Sequence, residues 1–139
     1  MLTFRFLKKP DPATLMGIIS LYSRQGWWDK TDKPALAAKI IKNSHCFLAV
    51  FDKGRPVGMG RAISDLANDA YIQDVMILRE YRGLGLGSKI VLRLKKRLKA
   101  DGIRWIGLIA QDNSASFYAK LGFKPIRRAN PMMLRGNHV

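Results

Sequence analysis

The sequence predicts an α/β chain of the α+β kind: a mixed, mostly antiparallel sheet of about six to seven strands flanked by about four helices. Two observations carry that reading. Two strand-like segments follow one another as a hairpin, and further strands are interleaved with segments of helical period. The 139 residues, 47% hydrophobic and 25% charged, suit one domain over residues 1–139 with a core of its own.

Leu2, Phe4 and Phe6 alternate with Thr3 and Arg5, which predicts a strand to about Leu7, stopped by Pro10. Asp11 and Pro12 open a helix over residues 12–25, with Leu15, Ile18, Ile19 and Tyr22 at helical spacing and Gly26 as its end. The aromatic loop Gly26-Trp27-Trp28-Asp29 leads to a second helix carrying Leu36, Ile40 and Ile41. Residues 45–52 and 57–64 form a hairpin through Lys53-Gly54-Arg55-Pro56, and residues 70–78 the next strand. A glycine-rich turn then enters a helix over residues 88–100, whose Ile90, Val91, Leu94 and Leu98 make one apolar stripe. Residues 105–110 are a strand and 114–121 a short helix stopped by Gly122-Phe123, leaving residues 124–134 for one or two closing strands.

Charge and cysteine use bound the function. With 25 Lys and Arg against 10 Asp and Glu the net charge is +15, which attracts polyanions: nucleic acid, an acidic membrane surface or a phosphorylated cofactor. Lys89, Arg93, Lys95, Lys96, Arg97 and Lys99 crowd one helix, and Arg127, Arg128 and Arg135 the C-terminus. Six charges on an amphipathic helix read first as a solvated face, and the signatures of helix-turn-helix, zinc-finger, RRM and KH modules are missing, so no specific nucleic-acid partner is expected. Cys46 is alone, and His45 and His138 have no ligand spacing, so no metal is expected. Neither a membrane-length apolar run nor a signal-peptide core occurs, which predicts a cytoplasmic protein without a membrane partner.

Between the predicted strand at 70–78 and the helix at 88–100, Arg82-Gly83-Leu84-Gly85-Leu86-Gly87-Ser88 can turn several backbone N–H groups toward one point, a natural anion site. A Walker loop fails for want of Gly-Lys-Ser/Thr at the required offset, and the dinucleotide fingerprint fails because its third glycine would fall at Ser88. A plain glycine turn without a ligand is the alternative for the loop taken by itself.

Two motifs together go further. Arg82-x-x-Gly85-x-Gly87, entered from Asp74-Val75-Met76-Ile77 through Glu80-Tyr81, resembles motif A of the GNAT superfamily of acyl-CoA N-acyltransferases. Phe117-Tyr118-Ala119-Lys120-Leu121-Gly122-Phe123 resembles the Tyr-x-x-x-Gly-Phe element of that family's motif B. Tyr71-Ile72-Gln73-Asp74-Val75 and Pro131-Met132-Met133 look most like small bacterial members and the arylalkylamine (serotonin-type) N-acetyltransferases. The resemblance implies the GNAT fold, splayed at an acetyl-CoA cleft. It also implies transfer of acetyl from acetyl-CoA to a primary amine, on a small molecule or a peptide, by direct attack in a ternary complex. A homodimer is left open.

Carried over residue by residue, the resemblance implies that amides of Arg82, Gly83, Leu84, Gly85, Leu86, Gly87 and Ser88 hold the CoA pyrophosphate. The pantetheine arm would pair with Val75, Met76 and Ile77, with the Ile77 N–H as oxyanion donor. Lys89 and Arg93, one turn apart, could meet the CoA 3′-phosphate. Gln111 or Asn113 could add a contact to the arm, although Gln111 stands where the family commonly has Asn. The acceptor would enter past Trp27, Trp28 and Tyr71. Tyr118 matches the tyrosine beside the thioester sulfur, and a phenol can give a proton to a departing thiolate. Gln73 occupies the position of the family's carboxylate or histidine base and cannot accept a proton at neutral pH. Asp74 is adjacent but faces away in a regular strand, unless a bulge turns it in. Two routes for the amine proton therefore stand: Asp74 through a water, or a Gln73-bound water leading to solvent. A non-catalytic acyl-CoA-binding or nucleic-acid-associated protein of the same fold is the rival reading.

Overall fold

Residues 1–134 are described by the structure, a computed structural model. In chain order the elements are β1 (Leu2–Phe6), α1 (Pro12–Arg24), α2 (Pro34–Asn43), β2 (Cys46–Asp52), β3 (Arg55–Ser64), β4 (Asp69–Ile77), a 3₁₀ turn (Arg79–Tyr81), α3 (Leu86–Ala100), β5 (Trp105–Leu108) and α4 (Ala115–Ala119). The chain falls into two compact units, Met1–Leu108 and Ile109–Val139. No helix among the described residues is long and apolar enough to cross a membrane.

The first unit is a five-stranded sheet in the order β1-β2-β3-β4-β5. Its first three pairings are antiparallel and β4 with β5 is parallel. The parallel pair needs a crossover, and α3 supplies it. Each face of the sheet carries a helix, and β3 shows how one strand serves both. A Cβ on Gly60 would stand 2.7 Å from Ile90 and 3.2 Å from Leu94 of α3, so α3 lies directly on the backbone there. The neighbouring Arg61 points the other way, toward α1. Gly17 lets α1 approach Pro56 of β3, where a Cβ would stand 2.6 Å from the proline ring. Ile18 and Leu21 of α1, Phe47, Leu48 and Val50 of β2, and Ile90, Val91, Leu94 and Leu98 of α3 are buried in the two layers.

The hairpin and the helices lie within a few residues of their predicted limits; the closing strands do not exist. Residues 124–134 contain no strand, so the sheet has five strands rather than six to seven. Pro125 and Pro131 withhold amides from any ladder, and Arg128 adopts a positive φ of 57°, which breaks an extended run. β5 stops at Leu108, two residues short of the prediction. Arg135 and His138 lie outside the described residues.

Candidate active site

The site in the first unit is built around an irregularity in β4. Met59 of β3 opposes Met76, but Arg61, only two residues on, opposes Gln73. The extra residue is held by β4, and Asp74 takes it up with a φ of +56°. Asp tolerates the left-handed region better than the branched residues around it. In a regular strand Gln73 and Asp74 would face opposite sides. Here both meet Arg61 on the α1 face: Arg61 Nε donates to Asp74 Oδ2 at 2.6 Å and Arg61 Nη2 to Gln73 Oε1 at 3.4 Å.

Tyr22, at the end of α1, donates its hydroxyl to the same Asp74 Oδ2 at 2.7 Å. Burial, and next the Asp74 charge, push the Tyr22 hydroxyl well above its ordinary pKa, so it keeps its proton and acts as a donor. The rings of Trp27 and Trp28 lie tilted against Tyr22 at centroid distances of 6.2 and 6.4 Å. The aromatic loop is thereby tied to the bulge through one tyrosine. Tyr71, two residues before Gln73, instead packs edge-on against Trp105 of β5 at 5.1 Å.

Beyond the bulge no strand among the described residues pairs with the outer edge of β4. Its pairing with β5 ends at Ile72 opposite Leu108, while β4 itself continues to Ile77. The Leu78 N–H donates to the Val57 carbonyl of β3 at 2.9 Å. By the alternation of an antiparallel ladder, the amide and carbonyl of Ile77 then point to the open edge. Arg82 Nε covers that carbonyl at 3.1 Å, which leaves the Ile77 N–H directed into the gap. By the same alternation Met76, which is buried, turns its amide and carbonyl back to β3, and Val75 supplies the next groups of the outer edge.

The glycine loop follows at once. The Arg82 N–H is engaged with the Arg79 carbonyl at 3.2 Å, so the loop's outward amides begin at Gly83. Gly83 and Gly85 have φ of +83° and +75°, and a Cβ at either would meet nothing within 4 Å. Gly85 is the left-handed N-cap of α3, with no side chain capping the helix. Leu86, Gly87 and Ser88 therefore present first-turn amides that no preceding carbonyl in the helix can reach. Leu84 is exposed at the tip. Lys89 is exposed just beyond, whereas the Arg93 guanidinium lies over the Phe4 ring at 4.3 Å.

The second unit holds Tyr118 on α4, between Phe117 at 4.9 Å and Phe123 at 5.9 Å, both edge-on. Burial raises the Tyr118 hydroxyl above its ordinary pKa, so it is a protonated phenol at neutral pH. Gln111 accepts the Ser114 N–H through its backbone carbonyl at 3.1 Å, and Asn113 has a φ of +61° in the turn before α4.

Sequence reasoning missed Tyr22 and Arg61. Tyr22 sits in the apolar stripe of α1 and Arg61 in a predicted strand, and no motif marks either. The faint signal was the bulge: an Asp turned inward from a strand needs a donor waiting for it.

Comparison with known proteins agrees with this architecture. Residues 14–123 match the profile of the acetyltransferase (GNAT) family. An uncharacterized N-acetyltransferase of Porphyra purpurea is 34% identical over 123 residues, which are 85% of this chain and 69% of that protein. A chloroplastic serotonin N-acetyltransferase of Oryza sativa is 39% identical over 70 residues, covering half of this chain and 35% of the rice protein. Among solved structures, a Staphylococcus aureus protein of unknown function, described as a probable acetyltransferase, superposes with a TM-score of 0.81 at 26% identity, covering 98% of this chain and all of the other. The chain belongs to the GNAT acetyltransferases. It is accordingly an N-acetyltransferase with acetyl-CoA as co-substrate.

Proposed function

We propose that the chain acetylates a primary amine by direct attack on acetyl-CoA in a ternary complex, with the β4 bulge as the reaction centre. The observation that carries this is the coincidence, within a few residues, of an inward Asp74, a strand edge that pairs with no strand among the described residues and an outward Ile77 amide. Pantetheine is an amide-rich chain, and pairing with Val75 to Ile77 would satisfy strand groups that β5 leaves open. The amides from Gly83 to Ser88 would hold the pyrophosphate at the α3 N-terminus. The Ile77 N–H would stabilise the oxyanion of the tetrahedral intermediate.

The amine must lose a proton and the thiolate must gain one. Both hydrogen bonds to Asp74 fall on Oδ2, so Oδ1 is the oxygen that would take a proton through water, and Gln73 would hold that water beside the acceptor. Tyr118 would protonate the leaving sulfur. Trp27 and Trp28 would form the acceptor wall, which favours an amine with a flat or apolar body, free or at the end of a peptide. The reducing cytoplasm is the compartment that suits a single, buried, unpaired Cys46.

The test is an amine panel with thiol release as readout. Tyr118→Phe should lower kcat by about a hundredfold or more, one general acid–base group contributing roughly a hundred- to ten-thousand-fold, with acetyl-CoA affinity nearly unchanged. Gln73→Glu should add a carboxylate-dependent limb to the pH profile. Full turnover by Tyr118→Phe at every pH would remove that residue from the mechanism.

A further inference from the structure

Helix α3 carries Lys89, Arg93, Lys95, Lys96, Arg97 and Lys99 within 15 residues and contains no acidic residue. Lys89 with Arg93, Arg93 with Arg97, and Lys95 with Lys99 are like-charged pairs four residues apart, each of which weakens the helix. Asp101, at the C-cap, relieves part of this, accepting from Arg97 Nε at 2.9 Å and sharing its carboxylate with His45. The cations also extend beyond the helix. Arg93 lies over Phe4 and Arg97 over Phe6, at 4.3 and 4.9 Å, which joins the helix surface to the edge strand β1. Lys8 and Lys9 follow that strand directly and are exposed.

A single phosphate, such as that of a cofactor, needs two or three donors at one point. From Lys89 to Lys99 this array runs along about 15 Å of helix, at 1.5 Å per residue. Phe4 and Phe6 anchor the two guanidiniums at the surface, Arg97 with its Nε engaged by Asp101, and guanidinium N–H groups suit contact with phosphate oxygens. An acidic peptide would be expected to add an apolar anchor in a pocket, and the only large apolar side chain exposed on α3 is Leu92. A duplex carries one phosphate charge per about 1.7 Å of axis, a linear density that such an array can follow.

We propose that the α3–β1 face binds the phosphate backbone of nucleic acid, without sequence preference, along a surface that starts beside the glycine loop and runs away from it down α3. It would hold the enzyme among nucleic-acid-associated amine acceptors. The inference does not depend on the reading of the bulge as reaction centre.

The experiment measures anisotropy of a labelled 24-base-pair duplex of mixed sequence, and of a scrambled one, against salt. Lys96 and Lys99 are exposed on α3, away from the glycine loop. Lys96→Glu with Lys99→Glu should weaken binding about tenfold or more, and Lys96→Gln with Lys99→Gln should reduce the salt slope by about two. The control, Lys39→Glu with Lys42→Glu, makes the same charge change on α2, which packs with α1 on the other side of the sheet. It should change affinity by less than about threefold, and acetyl-CoA binding should be unchanged in all variants. An equal loss in the control would overturn the proposal, because net charge alone would then account for binding. So would no measurable binding of either duplex at 50 mM salt, a preference for one sequence, or tighter binding of poly-glutamate of matched charge.

Discussion

At the scale of single residues, the site turns on Asp74 and the two groups that hold it. Tyr22→Phe removes one of the two donors to Asp74 Oδ2 and leaves Arg61 in place. Hydrogen bonds to charged groups contribute about 1.5–3 kcal/mol, so urea unfolding should show a loss of that order or smaller. If Asp74 is the proposed proton acceptor, turnover should fall and its pH profile shift while acetyl-CoA affinity stays constant, because Tyr22 reaches the chemistry only through its hydrogen bond to Asp74. A drop in stability with an unchanged pH profile would make Tyr22 a purely structural residue. Cys46 gives a second residue-level prediction. Burial pushes its thiol from an ordinary value of 9.0 up to about 11, so the folded state binds the proton more tightly than the unfolded one. Its contribution to stability is complete below pH 9 and is lost as the pH rises through about 11. Iodoacetamide at pH 8 should therefore label Cys46 only after denaturant is added.

At the scale of elements, the glycine loop separates backbone geometry from charge. Gly85 has a φ of +75° with open space where a Cβ would be, so alanine costs only the left-handed penalty, about 1–2 kcal/mol. Glutamate pays the same conformational cost and adds a negative charge at the uncapped start of α3. Calorimetry should detect reduced acetyl-CoA binding for Gly85→Ala and none for Gly85→Glu, with both proteins folded by circular dichroism. Unchanged affinity in Gly85→Glu would remove the loop from cofactor binding. The strand elements show the limit of sequence patterning. Ala70 to Ile72 alternate cleanly and were legible as strand, but the same alternation, extended through Asp74, would put that carboxylate on the wrong face.

At the scale of the whole molecule, a net charge of +15 on 139 residues makes self-repulsion part of the folding balance. Salt screens it, so Tm should rise between about 10 mM and 150 mM sodium chloride, where the Debye length falls from about 30 to 8 Å. A flat or falling Tm over that range would mean that local pairs such as Arg97 with Asp101 already offset the field.

The sequence by itself determined the hairpin, the apolar stripes of α1 and α3, the glycine loop and the family, because each rests on spacing along the chain. Local periodicity records which face a residue presents, and glycines at fixed offsets record where the backbone must turn left-handed. Tertiary structure alone decided the rest. Whether residues 124–134 pair as strands depended on a neighbour's amides and on two prolines, and they do not. The inward turn of Asp74 was decided by a mismatch in register between β3 and β4, with Arg61 and Tyr22 meeting it from elements 13 and 52 residues away in sequence. A pattern read along one strand cannot register a residue count that differs from its partner's, since the bulge is a property of the pair.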